Sequence, residues 1–127
     1  MVARLPVLLV LAAFMTETAC SHRRRSASLS EPPDDVTLQV TNHNFLDVRV
    51  IVLYNGQRLR MGLATGSSTQ SFTIPGRLVA QVHELVLLGE AIGSNDRART
   101  ELLTVHPGQR IEWTLEMDLR RSSVGVY

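Results

Sequence analysis

Leu46 to Leu63 reads LDVRVIVLYNGQRLRMGL, and this stretch decides the fold. Apolar residues alternate with others on both sides of Asn55-Gly56: Leu46, Val48, Val50, Val52 and Tyr54 before it, Leu59, Met61 and Leu63 after it. Alternation with a period of two means strand, because successive side chains of an extended chain point to opposite faces. A two-residue type I′ turn needs positive φ at both central positions, which Asn-Gly tolerates, so the two strands form a hairpin. Pairing Tyr54 with Gln57 sets Val52 opposite Leu59, Val50 opposite Met61 and Val48 opposite Leu63. A slip of one residue would turn Leu59, Met61 and Leu63 to solvent, so turn chemistry and apolar pattern agree on the register.

The other face of this hairpin carries Ile51 and Leu53 against Arg60 and Arg58, with Arg49 nearby. Two readings apply to so unusual a solvent face. In the first, the arginine stems lie over the apolar side chains while the guanidinium heads stay wet. In the second, an apolar centre with a cationic rim forms a binding patch for an acidic protein or anionic polymer. Arg49, Ile51, Leu53, Arg58 and Arg60 are the candidate binding residues.

Outward from the hairpin the pattern is mostly strand. Val36, Leu38 and Val40 alternate with Thr37, Gln39 and Thr41, and Asn42-His43-Asn44 breaks the run. Ser71 to Ile74 makes a short strand stopped by Pro75-Gly76. Leu78 to Ile92 fits both a helical stripe and a buried strand; Gly89 argues against helix, so a strand is expected over Glu84 to Ile92. Gly93 to Asp96 turns the chain. Thr100 to His106 and Arg110 to Asp118 flank Pro107-Gly108 and are expected to form a second hairpin, with Leu103 and Val105 facing Ile111 and Trp113. Val124 and Val126 add a short edge strand, a place for β-augmentation. Turn signals roughly every ten residues predict an all-β antiparallel sandwich of about seven strands over residues 36–127, immunoglobulin-like or transthyretin-like in architecture.

The N-terminus has a different character. Arg4 precedes the apolar run Leu5 to Phe14, and the polar Met15 to Thr18 follows. That is the layout of an export signal over residues 1–19, and the run is about half the length that a bilayer-spanning helix requires. Thr18-Ala19-Cys20 closes it, and here the chain resembles bacterial lipoprotein signals, whose cysteine is acylated before cleavage. Glu17 stands where that family usually carries leucine. The resemblance implies a lipid anchor on Cys20. Ser21, rather than the aspartate that retains some lipoproteins at the inner membrane, implies the outer membrane; plain cleavage near Ala19, giving a secreted or periplasmic protein, is the alternative. Cys20 is the only cysteine, so no intramolecular disulfide is available to it, and a thioether to lipid would cap the thiol. Residues 20–35, SHRRRSASLSEPPDD from Ser21, are too polar to order themselves and read as a tether.

Composition narrows the function. A chain of 127 residues with formal charge +1 has room for one domain and no electrostatic claim on nucleic acid. There is no nucleophile elbow, P-loop, zinc-protease or paired-cysteine motif, so no catalytic set, metal or cofactor is expected. His43, His83 and His106 fall on different elements. Trp113, Tyr54 and Phe72 are in phase with aliphatic neighbours and are expected in the core, leaving Phe45 and Tyr127 as the outward aromatics, a poor surface for sugar stacking. The expected function is non-enzymatic: an envelope lipoprotein, held to the membrane by its anchor, that presents a small sandwich to another envelope protein. The alternative is a module for an anionic glycan or peptide acting through the arginine face.

Overall fold

A computed structural model of the chain describes residues 31–127; the expected export signal, Cys20 and most of the expected tether lie outside them. Nine strands, one short helix and one 3₁₀ turn follow in order: β1 (Val36–Asn42), β2 (Val48–Tyr54), β3 (Gln57–Ala64), β4 (Ser68–Ile74), α1 (Gly76–Val82), β5 (Glu84–Ala91), β6 (Arg97–Arg99), β7 (Leu103–Thr104), β8 (Arg110–Leu115), the 3₁₀ turn Leu119–Arg121 and β9 (Ser123–Val126). They form two sheets, one in the order β4-β1-β8-β9, the other β3-β2-β5-β6 with β7 also on β5. The sheets close on one apolar core, an all-β sandwich.

Each strand contributes to that core by alternation. Val36, Leu38 and Val40 of β1 and Ile111, Trp113 and Leu115 of β8 point inward from one sheet, and Val48, Val50 and Val52 of β2 and Leu85 and Leu87 of β5 meet them from the other. Trp113 is fully enclosed, and Tyr54 and Phe72 pack half-buried against the same cluster. Gly89 of β5 faces the indole: a Cβ there would lie 2.9 Å from Val48 Cγ1 and 3.1 Å from Trp113 Cη2. Trp113 therefore occupies space that β5 leaves open by carrying no side chain.

A buried polar clasp joins the sheets at one end. Asn42 Nδ2 donates to the carbonyls of Leu46 and Ala64 at 2.9 and 3.0 Å, and its Oδ1 accepts from the Asn44 amide. Asn44 repeats the motif, accepting from the Leu46 amide and donating to the Met117 carbonyl. Both side chains are buried and satisfied by backbone groups that the crossing loops would otherwise strand. At the opposite end of β1, the Asp35 carboxylate accepts from the Gly76 amide and the Asp34 carbonyl from the Gly108 amide. The last two residues of the sequence-defined tether are thus tied into the domain.

Four expectations are corrected. The hairpin register holds from Tyr54↔Gln57 to Ile51↔Arg60 and then shifts, so that Val50 pairs with Gly62, Arg49 with Leu63 and Val48 with Ala64. Met61 is the extra residue of a bulge, which turns Leu63 outward and brings Ala64 into the core in its place. Pro107-Gly108 does not close a second hairpin: β7 pairs with β5, whereas β8 pairs with β1 and β9. Leu103 and Val105 are buried all the same, because alternation fixes the face a residue shows and leaves the partner strand open. β1 and β8 run parallel, the one departure from an antiparallel sandwich. Among the described residues there are nine strands against the seven or so expected, the region from 97 to 104 giving two short segments. The stretch from Leu78 divides: its first part belongs to α1, ended by His83 in a left-handed conformation (φ 56°), and its second is β5.

Candidate functional site

The outward face of the β3-β2-β5-β6 sheet is where the chain's chemistry collects. Register sets its rows. Leu63, Arg49, Glu90 and Arg97 lie side by side across the four strands, and so do Arg60, Ile51, Leu88 and Arg99 in the next row; Arg58, Leu53 and Val86 make a third. The five residues nominated from sequence are therefore together on one surface. Strands β5 and β6 extend it with Val86, Leu88, Glu90, Arg97 and Arg99. These were missed because no sequence signal says which strand sits beside β2. Arg97-Ala98-Arg99 repeats the pattern of Arg58-Leu59-Arg60, a small or apolar residue inward between two outward arginines, and that signal was available.

Ile51 and Leu88 point away from the core cluster, yet they are only 4% and 7% exposed. Their cover can be read from the lattice of the sheet. Arg58 Nη2 reaches Glu90 Oε1 at 2.6 Å, although the two residues sit two strands and two rows apart; the straight line between them passes over Ile51. Arg49 Nη1 approaches the same carboxylate at 3.9 Å. Arg60 and Arg99 flank the Ile51-Leu88 pair from either side. The stem-covering arrangement is thus present at the centre of the face.

Coverage stops at the third row. Leu53 and Val86 are half-buried and line an open groove of about 380 Å³ together with Tyr54, Val82 and Leu102, and with the charged Arg99 and Glu84. Leu102 is 59% exposed, an apolar side chain that shares the groove with Arg99. Within the face as a whole Glu90 offsets part of the charge of Arg49, Arg58, Arg60, Arg97 and Arg99, and neither Arg60, Arg97 nor Arg99 has a carboxylate partner among the described residues. The arrangement suits an extended ligand with acidic groups for the arginines and an apolar side chain for the groove.

Other polar groups are dispersed. His83 and His106 have ring centroids 6.4 Å apart, while His43 lies at another loop and contacts Glu116 at 3.3 Å. Among the described residues no set of three His, Cys, Asp or Glu side chains is placed to hold a metal ion. Phe45 and Tyr127 are 69% and 66% exposed. Phe45 follows the Asn42 end of β1, whereas Tyr127 pairs with Arg110 at the Thr37 end, so they make no common platform. Asp118 accepts from the Arg120 side chain and amide, which hold its carboxyl below the ordinary carboxylate value, Arg121 adding to the effect; it caps the 3₁₀ turn. No helix among the described residues is long and apolar enough to cross a membrane.

No family model matches the chain, and no curated protein does. Among solved structures, an NMR structure of a protein from Eubacterium rectale is similar at a TM-score of 0.44 and 14% identity, over 74% of this chain and 87% of that one.

Proposed function

We propose that this chain is a non-catalytic, lipid-anchored domain of the bacterial envelope that binds an acidic segment of another envelope protein through the outward face of the β3-β2-β5-β6 sheet. The observation that carries the reading is the pairing of a partly uncovered apolar groove at Leu53, Val86 and Leu102 with arginines that lack carboxylate partners among the described residues. Desolvating Leu102 and Leu53 supplies affinity, while Arg60, Arg97 and Arg99 select acidic groups and speed encounter. The anchor rests on the likeness of residues 1–20 to lipoprotein signals; each buried CH₂ of an acyl chain contributes about 0.8 kcal/mol, enough over two or three chains to hold so small a domain at a bilayer.

Fluorescence anisotropy with a labelled peptide of alternating glutamate and leucine tests the binding face. The peptide should bind, retain part of its affinity at high salt through the groove, and lose at least about tenfold, or 1.4 kcal/mol, when Arg60→Glu and Arg99→Glu are combined. If polygalacturonate binds as well as the peptide and both are released by salt, the anionic-glycan reading replaces this one. If neither binds, the face is a solvated surface. Intact mass and fractionation of wild type beside Cys20→Ser test the anchor: an acylated mass and membrane recovery should both vanish in the variant, and equal masses with soluble recovery in both would remove it.

A further inference from the structure

A sandwich has exposed strand edges, and this one treats them unequally. On the β3-β2-β5-β6 sheet, the β3 edge carries Arg58 and Arg60 and is broken by the bulge at Met61, and the opposite edge is broken into β6, three residues long with two arginines, and the two-residue β7. Charges, bulges and brevity are the devices that keep an edge from pairing with a foreign strand. The β4-β1-β8-β9 sheet lacks them at β4. Strand β4 is Ser68-Thr69-Gln70-Ser71-Phe72-Thr73-Ile74, seven residues with no charge, no proline and no register shift, hydrogen-bonded to β1 alone. No strand among the described residues is hydrogen-bonded to its other row of amide and carbonyl groups.

We infer that β4 pairs antiparallel with β4 of a second copy of this chain, about a twofold axis at Ser71, joining two four-stranded sheets into one of eight strands. The match to itself carries the choice of partner. The other edge of the same sheet, β9, is uncharged too but only four residues long, and both edges of the second sheet bear arginines. Among the described strands the one uncharged edge that matches β4 along its full length is therefore β4 of another copy, and a twofold pairing closes where a β4-to-β9 contact would not. With Ser71 opposite Ser71, Thr69 falls opposite Thr73 on the outward face and Gln70 opposite Phe72 on the inward one, so every side chain keeps the face it already has. Phe72, half-buried in the single copy, gains a neighbour across the axis. The arginine faces lie on the other sheet and stay open, so two copies would offer two binding faces to one acidic partner. That last consequence rests on the proposed function; the pairing itself does not.

The register makes a charge test specific. Sedimentation of the full chain in non-ionic detergent at micromolar concentration should give a dimer of the protein. Thr69→Lys with Thr73→Lys sets lysine against lysine across the axis, as Thr69→Glu with Thr73→Glu sets glutamate against glutamate, and each pair should raise the dissociation constant at least tenfold. Thr69→Lys with Thr73→Glu sets opposite charges together and should restore the dimer. Should one like-charge chain fail to fold, the other gives the same readout. A monomeric wild type overturns the proposal, and so does a dimer that all three variants leave equally strong, which would place the contact on β9 or elsewhere.

Discussion

At the scale of single residues, polar side chains carry as much of the architecture as apolar ones. Asn42 satisfies the Leu46 and Ala64 carbonyls and the Asn44 amide in a place where the chain passes from one sheet to the other. Asn42→Ala leaves these groups buried without partners and should cost about 3 kcal/mol, read as a lower urea midpoint with an unchanged slope. The sequence showed Asn42-His43-Asn44 only as a break between strands; its role as a clasp depends on Ala64 and Met117, which are distant in sequence and close in space. Asp118 gives a pH dependence of known sign. Its carboxyl is held below the ordinary value in the folded chain by Arg120, so its stabilisation is present at neutral pH and fades as pH falls through the depressed folded value. Asp118→Asn should therefore make the urea midpoint less sensitive to acid below the ordinary carboxylate range. An unaltered acid profile would mean that the capping contacts do not persist in solution.

At the scale of elements, turn chemistry was legible and partnership was not. Asn55 and Gly56 take φ of 46° and 72°, the type I′ geometry that their identities announce, and the neighbouring register follows as far as Ile51↔Arg60. Beyond that the bulge intervenes, and its one sign in RLRMGLA is Gly62, which takes a positive φ of 149° beside Met61; a lone glycine inside a strand pattern often marks a bulge. Partnership explains the missed half of the candidate site: Arg97 and Arg99 alternate visibly, but only β5 lying between them and β2 makes them neighbours of Arg60. Two glycines separate conformation from packing. At Gly56 an added Cβ meets nothing within 4 Å, so Gly56→Ala should cost about 1 kcal/mol through backbone strain alone. At Gly89 it meets Val48 and Trp113, and Gly89→Ala should cost about 2 kcal/mol through overpacking, with altered tryptophan fluorescence. Equal costs with unchanged fluorescence would contradict the packing assigned to Trp113.

At the scale of the whole molecule, a formal charge of +1 conceals a strong asymmetry. One sheet turns arginines outward around an apolar groove, while the outward positions of the other are filled largely by threonine, serine and glutamine on β1 and β4. Net charge alone says nothing of where the cations sit. The sandwich itself was legible because apolar alternation runs through most of residues 36–126 and one core absorbs nearly all of it; which of its two faces recognises something was half legible, from the Ile51-Leu53 and Arg58-Arg60 pairing alone. The central claim is that this face, with its groove, is the one that binds. Amide and methyl NMR of the isotope-labelled full chain, titrated in detergent with the alternating glutamate-leucine peptide, addresses it directly. Saturable shifts confined to Leu53, Val86, Arg99 and Leu102 are the predicted result, and shifts centred instead on Thr41, Ser71 and Thr114 of the opposite sheet, or none at all, would contradict it.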